Sequence, residues 1–304
     1  MNSNLDLIDR IIKLKKEKDA VILAHNYQIG EVQDIADSVG DSLQLSIEAS
    51  KTKHKIIIFC GVHFMAETAK IISPDRKVLL PDKNSGCPMA DMINASQLKK
   101  LKNENPGALV VCYVNSSAEV KAESDICCTS SNAVNVVKSI PKNKKIIFIP
   151  DKYLGDYVQK KTNKKLILWN GYCPAHIMIN VKDIIKLKKD NLDAAVIVHP
   201  ECTPEVINIA DKVASTGGMI KYVKNSRKNK FIIGTEIGII HRLKKENPGK
   251  TFYAATGKAI CPDMKLINLE KILWSLEEER YEIDIPEEII RKARSAIDRM
   301  IAIK

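Results

Sequence analysis

The sequence predicts an α/β protein of three homologous three-layer αβα units, whose parallel sheets surround a pseudo-threefold axis with the active site at the centre. Two observations predict this fold. The dipeptide Cys-Pro begins at residues 87, 173 and 261, so it recurs after 86 and then after 88 residues. Short apolar runs also alternate with helical patterns along the chain. Because a fixed period indicates a repeated structural unit, we expect three copies of one unit.

A Lys-rich amphipathic segment precedes the first strand of each unit. The hexapeptide Ile-Ile-Lys-Leu-Lys-Lys at residues 11–16 recurs unchanged at residues 184–189, two units later. Apolar residues at helical spacing with lysines between them predict a surface helix. Chance explains an unchanged hexapeptide poorly, so its recurrence supports the threefold repeat.

Three apolar runs follow in each unit, and we interpret them as buried strands. The runs are Val21–Ala24, Ile56–Phe59 and Val78–Leu80, then Val110–Val114, Ile146–Ile149 and Leu166–Trp169, and finally Ala194–Val198, Phe231–Gly234 and Phe252–Ala255. Helical patterns separate the runs, and strands that alternate with helices indicate parallel sheets covered by helices.

The repeat also predicts how the chain divides. The predicted segments are three αβα units at residues 1–88, 89–175 and 176–262, and a C-terminal helical tail at residues 263–304. Residues 268–280 resemble the helix that precedes each first strand, so we expect the tail to pack where a fourth unit would begin and to close the ring. Pro286, Glu287 and Glu288 predict the start of a last helix, since Pro suits the first turn and acidic side chains suit the N-terminus.

Composition limits the location and the class of partner. No apolar run approaches the roughly 20 residues that span a bilayer, and the first residues lack the features of a signal peptide. We therefore predict a cytoplasmic protein that does not bind membranes. The net charge of +11 comes from lysines scattered over helical segments, and the aromatic content of 5% leaves little for base stacking, so we also predict no nucleic-acid partner.

The cysteines divide into two groups. Cys87, Cys173 and Cys261 each belong to one unit, and three thiolates at a threefold junction can bind a metal ion or an iron-sulfur cluster with one coordination position free. The other cysteines do not follow this period, and we expect them to pack in the core rather than to form disulfides. They are Cys60, Cys112, Cys127, Cys128 and Cys202.

Polar residues follow the first strand of every unit. In register they are His25, Tyr113 and His199, and two residues later Tyr27, Asn115 and Glu201. Because ligands bind beyond the carboxyl ends of parallel strands, these side chains are expected to line the central cavity. Equivalent positions hold different residue types, which suits an asymmetric substrate better than a symmetric scaffold.

A hydroxyl residue lies fifteen positions after the second of these sets in every unit. These residues are Ser42, Ser130 and Thr216, each beside a helical segment. Free N–H groups and the dipole at a helix N-terminus favour anions. Three such termini suit a ligand with several negative groups, such as a dicarboxylate or a phosphate ester.

The order of short strings along the chain resembles that of the quinolinate synthase family, iron-sulfur enzymes of bacterial and archaeal NAD biosynthesis. The matching strings are Ala-His-Asn-Tyr-Gln at 24–28, Gly-Asp-Ser at 40–42, Cys-Pro-Met-Ala at 87–90, Tyr-Val-Asn-Ser at 113–116, Thr-Ser-Ser-Asn at 129–132, Gly-Tyr-Cys-Pro-Ala-His at 171–176, His-Pro-Glu-Cys at 199–202 and Ser-Thr-Gly-Gly-Met at 215–219. The resemblance extends from about Val21 to Cys261. It is closest to the compact version of the family, because Cys261 is not part of a Cys-x-x-Cys-x-x-Cys cluster.

The resemblance implies a cofactor and a reaction. One [4Fe-4S] cluster per chain would be held by Cys87, Cys173 and Cys261, with an open iron that acts as a Lewis acid. The implied reaction condenses iminoaspartate with dihydroxyacetone phosphate to quinolinate, with loss of phosphate and two waters. L-aspartate oxidase or aspartate dehydrogenase is the implied functional partner that would supply iminoaspartate.

The resemblance also implies the roles of the cavity residues. The substrate-binding residues would be His25, Ser42, Tyr113, Val114, Asn115, Ser130, His199, Glu201 and Thr216. Glu201 is the first candidate for the general base, and Tyr27 and His199 are further candidates for proton transfer.

Two alternatives remain open from the sequence. The first is a zinc-dependent lyase or hydrolase that uses the three thiolates, although the short Cys-x-x-Cys spacing common in zinc sites is absent. The second is a nucleic-acid-binding or cluster-sensing protein, which only the positive charge favours. Metal analysis distinguishes the first, and the salt dependence of nucleic-acid binding distinguishes the second.

Overall fold

The structure is a computed structural model that describes residues 2–303, with side chains from residue 5 onward. Residues 1 and 304, the outer ends of the first and last predicted segments, lie outside the described residues. The strands are β1 Ala20–His25, β2 Ser38–Gly40, β3 Ile56–Cys60, β4 Lys77–Leu79, β5 Leu109–Tyr113, β6 Ile126–Cys128, β7 Ile146–Ile149, β8 Ile167–Leu168, β9 Ala195–Val198, β10 Lys212–Val213, β11 Lys230–Gly234 and β12 Thr251–Ala254.

Helices connect these strands. They are α1 Asn2–Glu17, α2 Gly30–Ile35, α3 Ser42–Lys51, α4 His63–Ile72, α5 Ala95–Glu104, α6 Ala118–Ala122, α7 Ala133–Ser139, α8 Lys152–Thr162, α9 Val181–Asp190, α10 Pro204–Asn208, α11 Thr216–Asn225, α12 Ile239–Glu246, α13 Leu269–Glu278 and α14 Glu287–Ala302. Three short 3₁₀ helices lie at Ala90–Met92, His176–Met178 and Asp263–Leu266.

The strands form three separate four-stranded sheets, and every strand pair within them is parallel. We number the units by their sheets: unit 1 holds β2-β1-β3-β4, unit 2 holds β6-β5-β7-β8 and unit 3 holds β10-β9-β11-β12. The predicted fold class is confirmed, because three all-parallel sheets flanked by helices share one strand order. In each sheet the first strand lies between the second and the third, which places a ligand-binding crevice at its carboxyl end.

The number of strands per sheet differs from the prediction. We expected three strands in each unit, and the structure has a fourth in β2, β6 and β10. Each of these is an edge strand of only two or three residues. Such a strand forms because its backbone groups pair with the neighbouring strand, so it needs no apolar run of its own and leaves little pattern in the sequence.

The repeated sequence produces repeated local structure. The two copies of the hexapeptide lie on α1 and α9, where Ile11 and Ile184 are buried and the following Ile and Lys are exposed. Asn94, Asn180 and Asn268 each cap a helix by accepting the backbone N–H three residues later. These asparagines have the same spacing as the Cys-Pro dipeptides, so α5, α9 and α13 begin in equivalent ways.

The tail packs across units 1 and 2. Helix α13 lies against α1, and α14 lies against α4, α6 and β6. The Asn132 amide in unit 2 donates to the backbone oxygens of Met300 (3.0 Å) and Ile303 (2.8 Å). Arg294 on α14 donates to the backbone oxygens of Ile71 and Ile72 in unit 1. The proposed boundaries at residues 88, 175 and 262 stay predictions.

The hydrophobic core is continuous over part of the molecule. One cluster of buried apolar side chains joins unit 1, unit 2 and the tail. Unit 3 holds two clusters of its own, one on each face of its sheet, with Val196 in one and Ile197 in the other. Alternate residues of β9 thus face different helical layers, as in a doubly covered sheet.

No helix within residues 2–303 combines the length and the apolar character needed to cross a lipid bilayer.

Candidate active site

The three units surround a cavity of about 70 Å³. Its walls come from the loops that follow the strands, as the strand order predicts. Twelve of the predicted site residues line it: His25, Tyr27, Ser42, Cys87, Tyr113, Asn115, Ser130, Cys173, His199, Glu201, Thr216 and Cys261. The structure therefore brings together side chains that are up to 236 residues apart in the sequence.

Val114 is the predicted site residue that does not line the cavity. Its side chain is buried, and its backbone N–H donates to the Cys128 oxygen at 2.9 Å. It lines a small neighbouring hollow together with Phe64 and Met65. A contact between Val114 and a ligand is therefore not visible in this arrangement.

The three Cys-Pro loops have the same local structure. Each leads into one of the short 3₁₀ helices, and the backbone N–H three residues after the cysteine is directed at its thiol. Such N–H groups stabilise the thiolate form of Cys87, Cys173 and Cys261. All eight cysteines of the chain are free of disulfides.

Burial nevertheless favours the neutral thiols in the absence of a positive charge. It raises the pKa of Cys261 to about 11, and the pKa values of Cys87 and Cys173 lie higher still. Negative neighbours add to the effect, including Glu201 near Cys87 and Cys173. A metal centre would supply the missing positive charge, because a thiol that binds a metal is deprotonated.

A second group of ligand atoms lies at Cys173. The Cys173 sulfur, a His176 ring nitrogen and a Glu201 carboxylate oxygen lie within 4.8 Å of one another and could hold a metal ion. His176 Nδ1 is 2.8 Å from Glu201 Oε2 and 3.1 Å from Cys173 Sγ. His176 Nε2 is 2.8 Å from the Thr235 hydroxyl, so both nitrogens of this buried imidazole have partners.

His176 is a site residue to which the sequence argument assigned no role. Its signal was present, because the residue three positions after the cysteine is Ala90 in the first Cys-Pro loop, His176 in the second and Met264 in the third. A single polar residue among equivalent positions marks a departure from the repeat. The departures on which the sequence prediction depends lie only at the ends of the first strands.

Glu201 is the central acceptor of the site. The Tyr113 hydroxyl donates to Glu201 Oε1. The other oxygen, Oε2, lies 2.8 Å from His176 Nδ1 and 3.9 Å from His199 Nδ1. Burial opposes ionisation of Glu201, but the neighbouring His176 and His199 and the hydrogen bonds from His176 and Tyr113 hold its pKa below the ordinary value. Glu201 is therefore a carboxylate in this cavity.

Four other titratable side chains of the cavity are neutral. Burial lowers the pKa of His25 to about 4 and that of His199 to about 3. Burial, followed by the charge of Glu201, raises the pKa of Tyr27 and Tyr113 well above the ordinary value. Neutral imidazoles and protonated phenols can still donate hydrogen bonds to an anion.

The three hydroxyl residues lie at two kinds of position. Ser42 and Thr216 are the first residues of α3 and α11, as predicted. Ser130 instead lies in the loop before α7, where its Oγ is 3.1 Å from His199 Nε2. Close by, the side-chain oxygen of Asn115 is buried and has no hydrogen-bond partner within the described protein. A buried acceptor without a partner in a cavity wall indicates a missing donor, such as a ligand N–H or O–H group.

An ion pair supports the third cysteine loop. Glu236 is fully buried, its Oε1 lies 2.9 Å from Lys265 Nζ, and it accepts the backbone N–H of Cys261 at 3.3 Å. Lys265 also donates to the backbone oxygen of Tyr27 in unit 1. Lys265 has no basic equivalent in the other two copies of the repeat, where Asp91 and Ile177 stand, so the sequence offered no signal for this ion pair.

Comparisons with known proteins identify the family of the chain. The family model described as Quinolinate synthetase A protein matches residues 9–302. A quinolinate synthase of Dehalococcoides mccartyi strain CBDB1 is 54% identical over 294 residues, which cover 97% of this chain and 97% of that protein. The quinolinate synthase of Thermodesulfovibrio yellowstonii is 53% identical over 297 residues, covering 97% and 98%, and that of Methanosarcina barkeri is 52% identical over 299 residues, covering 98% of each. The chain belongs to the quinolinate synthase family of enzymes.

Proposed function

We propose that this enzyme condenses iminoaspartate with dihydroxyacetone phosphate to form quinolinate, with release of phosphate and two waters, as a step of NAD biosynthesis. One observation carries the proposal: three thiols from equivalent loops of three units face the same cavity as unlike polar groups from the strand ends. The reaction is balanced without an oxidant or a reductant. The site therefore has to bind two anions, activate oxygen leaving groups and move protons.

The proposed cofactor is one [4Fe-4S] cluster per chain, held by Cys87, Cys173 and Cys261. Three observations fit it: the thiols are free of disulfides, each receives a backbone N–H, and desolvation raises the pKa of each above the ordinary value, which the positive charge of a metal centre would offset. When bound, the cluster would supply a Lewis-acidic iron that lacks a cysteine ligand.

Hydrogen-bond donors would hold the anionic groups of the substrates. The proposed contacts are His25, Ser42, Tyr113, Asn115, Ser130, His199 and Thr216. Val114 is proposed as an apolar contact, because its backbone N–H and oxygen are already paired with Cys128 and Ser116. Neutral histidines suit this role because they donate one hydrogen bond without forming a permanent ion pair that would retain the product. The N-terminus of α3 at Ser42 and that of α11 at Thr216 add partial positive charge.

Proton transfer is assigned to groups around Glu201. Glu201 is the proposed general base, since it is a carboxylate with both oxygens oriented by Tyr113 and His176. Tyr27 retains its proton and contacts Thr235 at 2.5 Å, so it is the proposed donor on the other side of His176. His199, whose Nε2 lies 3.1 Å from the Ser130 hydroxyl, is a further candidate for proton transfer.

Iron and acid-labile sulfide per chain, measured after anaerobic purification, test the proposed cofactor. We expect about four of each in the wild type, loss in Cys87→Ala, Cys173→Ala and Cys261→Ala, and retention in Cys60→Ala, whose thiol is buried in the core of unit 1. The wild type should then form quinolinate from the two substrates. Stoichiometric zinc would instead favour a zinc enzyme built on Cys173, His176 and Glu201.

The biological setting belongs to the same proposal. We place the enzyme in the cytoplasm, with L-aspartate oxidase or aspartate dehydrogenase as the source of iminoaspartate. Quinolinate formation that depends on adding either of these enzymes together with aspartate would support this assignment.

A further inference from the structure

We propose that Asn26 and Arg242 are positioning residues that hold the Thr216 hydroxyl as a hydrogen-bond donor toward a carboxylate of the bound ligand. The inference rests on the proposed function, because it takes the cavity as the site of a dicarboxylate. Two contacts across the interface of units 1 and 3 carry it. Arg242 donates to Asn26 Oδ1 at 2.9 Å, and Asn26 Nδ2 donates to Thr216 Oγ1 at 2.9 Å.

Arg242 determines the direction of this chain of hydrogen bonds. A guanidinium group has donors and no acceptor, so only the oxygen of the Asn26 amide can face it. Asn26 is fully buried, and its nitrogen must therefore face Thr216. Arg242 is itself held in place by Glu246 at 2.6 Å and by the backbone oxygen of Val39.

The consequence appears at Thr216. Its oxygen accepts the Asn26 N–H, so its own proton is left for another acceptor, and no group of the described protein accepts that proton. Thr216 lines the cavity as the first residue of α11, where the helix terminus adds positive potential. A hydroxyl in this state is suited to a carboxylate oxygen, which can only accept.

The arrangement does not follow the threefold repeat. In register, Asn26 corresponds to Val114 in unit 2 and Pro200 in unit 3, and neither side chain can donate a hydrogen bond. Ser130 obtains its partner differently, from the ring of His199. The hydroxyls of Thr216 and Ser130 thus have different hydrogen-bond partners. Such a difference is expected if the two hydroxyls contact different ends of an asymmetric ligand.

The substitution Asn26→Asp tests the proposal. A carboxylate still pairs with Arg242, but it can only accept, so the Thr216 hydroxyl would turn its proton away from the cavity. We expect the Kd of the cluster-loaded enzyme for quinolinate, measured by calorimetry, to rise roughly tenfold to a hundredfold. The KM for an anionic substrate should rise in parallel while kcat changes less. The control Asp34→Asn removes the negative charge that faces His241 and Lys245 at the same interface and should leave both constants unchanged.

A second pair of variants separates positioning from simple loss of structure. Arg242→Lys keeps a group that can only donate and should retain most of the affinity. Arg242→Gln introduces an amide that can also accept, so the Asn26 amide can turn over. This variant should lose most of the affinity for quinolinate. Equal affinities in these two variants, or an unchanged Kd in Asn26→Asp, would overturn the proposal. A wild-type enzyme that neither binds nor forms quinolinate would refute the proposed function instead.

Discussion

The carboxylate of Asp37 accepts the backbone N–H of Ile22 at 2.8 Å, and the Asp37 N–H returns a bond to the Ile22 oxygen at 2.9 Å. The same side-chain bond joins Asp125 to Val110 at 2.7 Å and Asp211 to Val196 at 2.8 Å. In every unit an aspartate immediately precedes the short edge strand, and its carboxylate accepts a backbone N–H of the neighbouring first strand. A side chain therefore begins the pairing that two or three strand residues continue.

Removing one of these carboxylates should destabilise its unit. Asp211→Ala leaves the buried Val196 N–H without a partner, and we expect a loss of about 1 to 3 kcal/mol in the free energy of unfolding. Asp211→Asn keeps an acceptor oxygen and should lose much less. Urea denaturation followed by circular dichroism measures both, and equal stability of the two variants would contradict the assignment.

Glu201→Gln should separate catalysis from folding. The amide oxygen can still accept from Tyr113, but a neutral amide cannot take up a proton, so kcat should fall roughly a hundredfold to ten-thousandfold. The Kd for quinolinate should stay similar or decrease, because a negative charge facing an anion is removed. The matched control Glu288→Gln, on the exposed face of α14, should behave as wild type; a kcat of Glu201→Gln within threefold of the control would exclude the general-base role.

The tail should contribute to the stability of units 1 and 2. Ile297 on α14 is fully buried in the core that these units share, and Ile297→Ala should cost about 2 to 5 kcal/mol. Ser295→Ala on the exposed face of the same helix should cost little. Thermal unfolding measures both variants. A chain that ends at Lys265 should also unfold at a clearly lower temperature than the full chain. An unchanged Tm would mean that the tail does not stabilise the fold.

His25 should make the cluster-free protein sensitive to acid. Its pKa is about 4 in the folded state because burial disfavours its charged form, whereas in the unfolded chain it is about 6.5. The unfolded state therefore binds more protons below pH 6.5, and stability is lost as the pH falls toward 4. Between pH 7 and pH 5 this loss is about 2 kcal/mol. We expect His25→Gln to lose less stability over that interval, as measured by urea midpoints; identical losses would show that His25 is not responsible.

The sequence was a good guide wherever a feature was repeated. The period of the Cys-Pro dipeptides predicted the three sheets, and the polar residues at the strand ends predicted most of the cavity wall. The asparagine caps of α5, α9 and α13 carry the same period, and they would have placed the start of the tail helix directly.

Contacts that occur once left no such pattern. His176 in the second Cys-Pro loop contacts Glu201 at the end of β9, and Lys265 beyond the third Cys-Pro loop contacts Glu236 and the Tyr27 oxygen of unit 1. Asn26 stands in the motif next to His25, but its role depends on Arg242, 216 residues away. Interactions between distant units depend on the relative placement of folded elements, which periodicity along one chain does not describe.

The division of the hydrophobic core has a consequence for how ligands can be exchanged. Unit 3 carries its own apolar clusters, and it is joined to the rest by polar contacts such as Asn26 to Thr216, Tyr113 to Glu201 and His241 to Asp34. Water can replace hydrogen bonds of this kind, whereas it cannot replace buried apolar contacts. Separation of unit 3 from the other units would therefore expose mainly polar groups that water can satisfy, together with a few apolar contacts such as that of Cys261 with the shared cluster. Passage of a ligand across this interface would thus cost hydrogen bonds between units rather than the apolar packing within them.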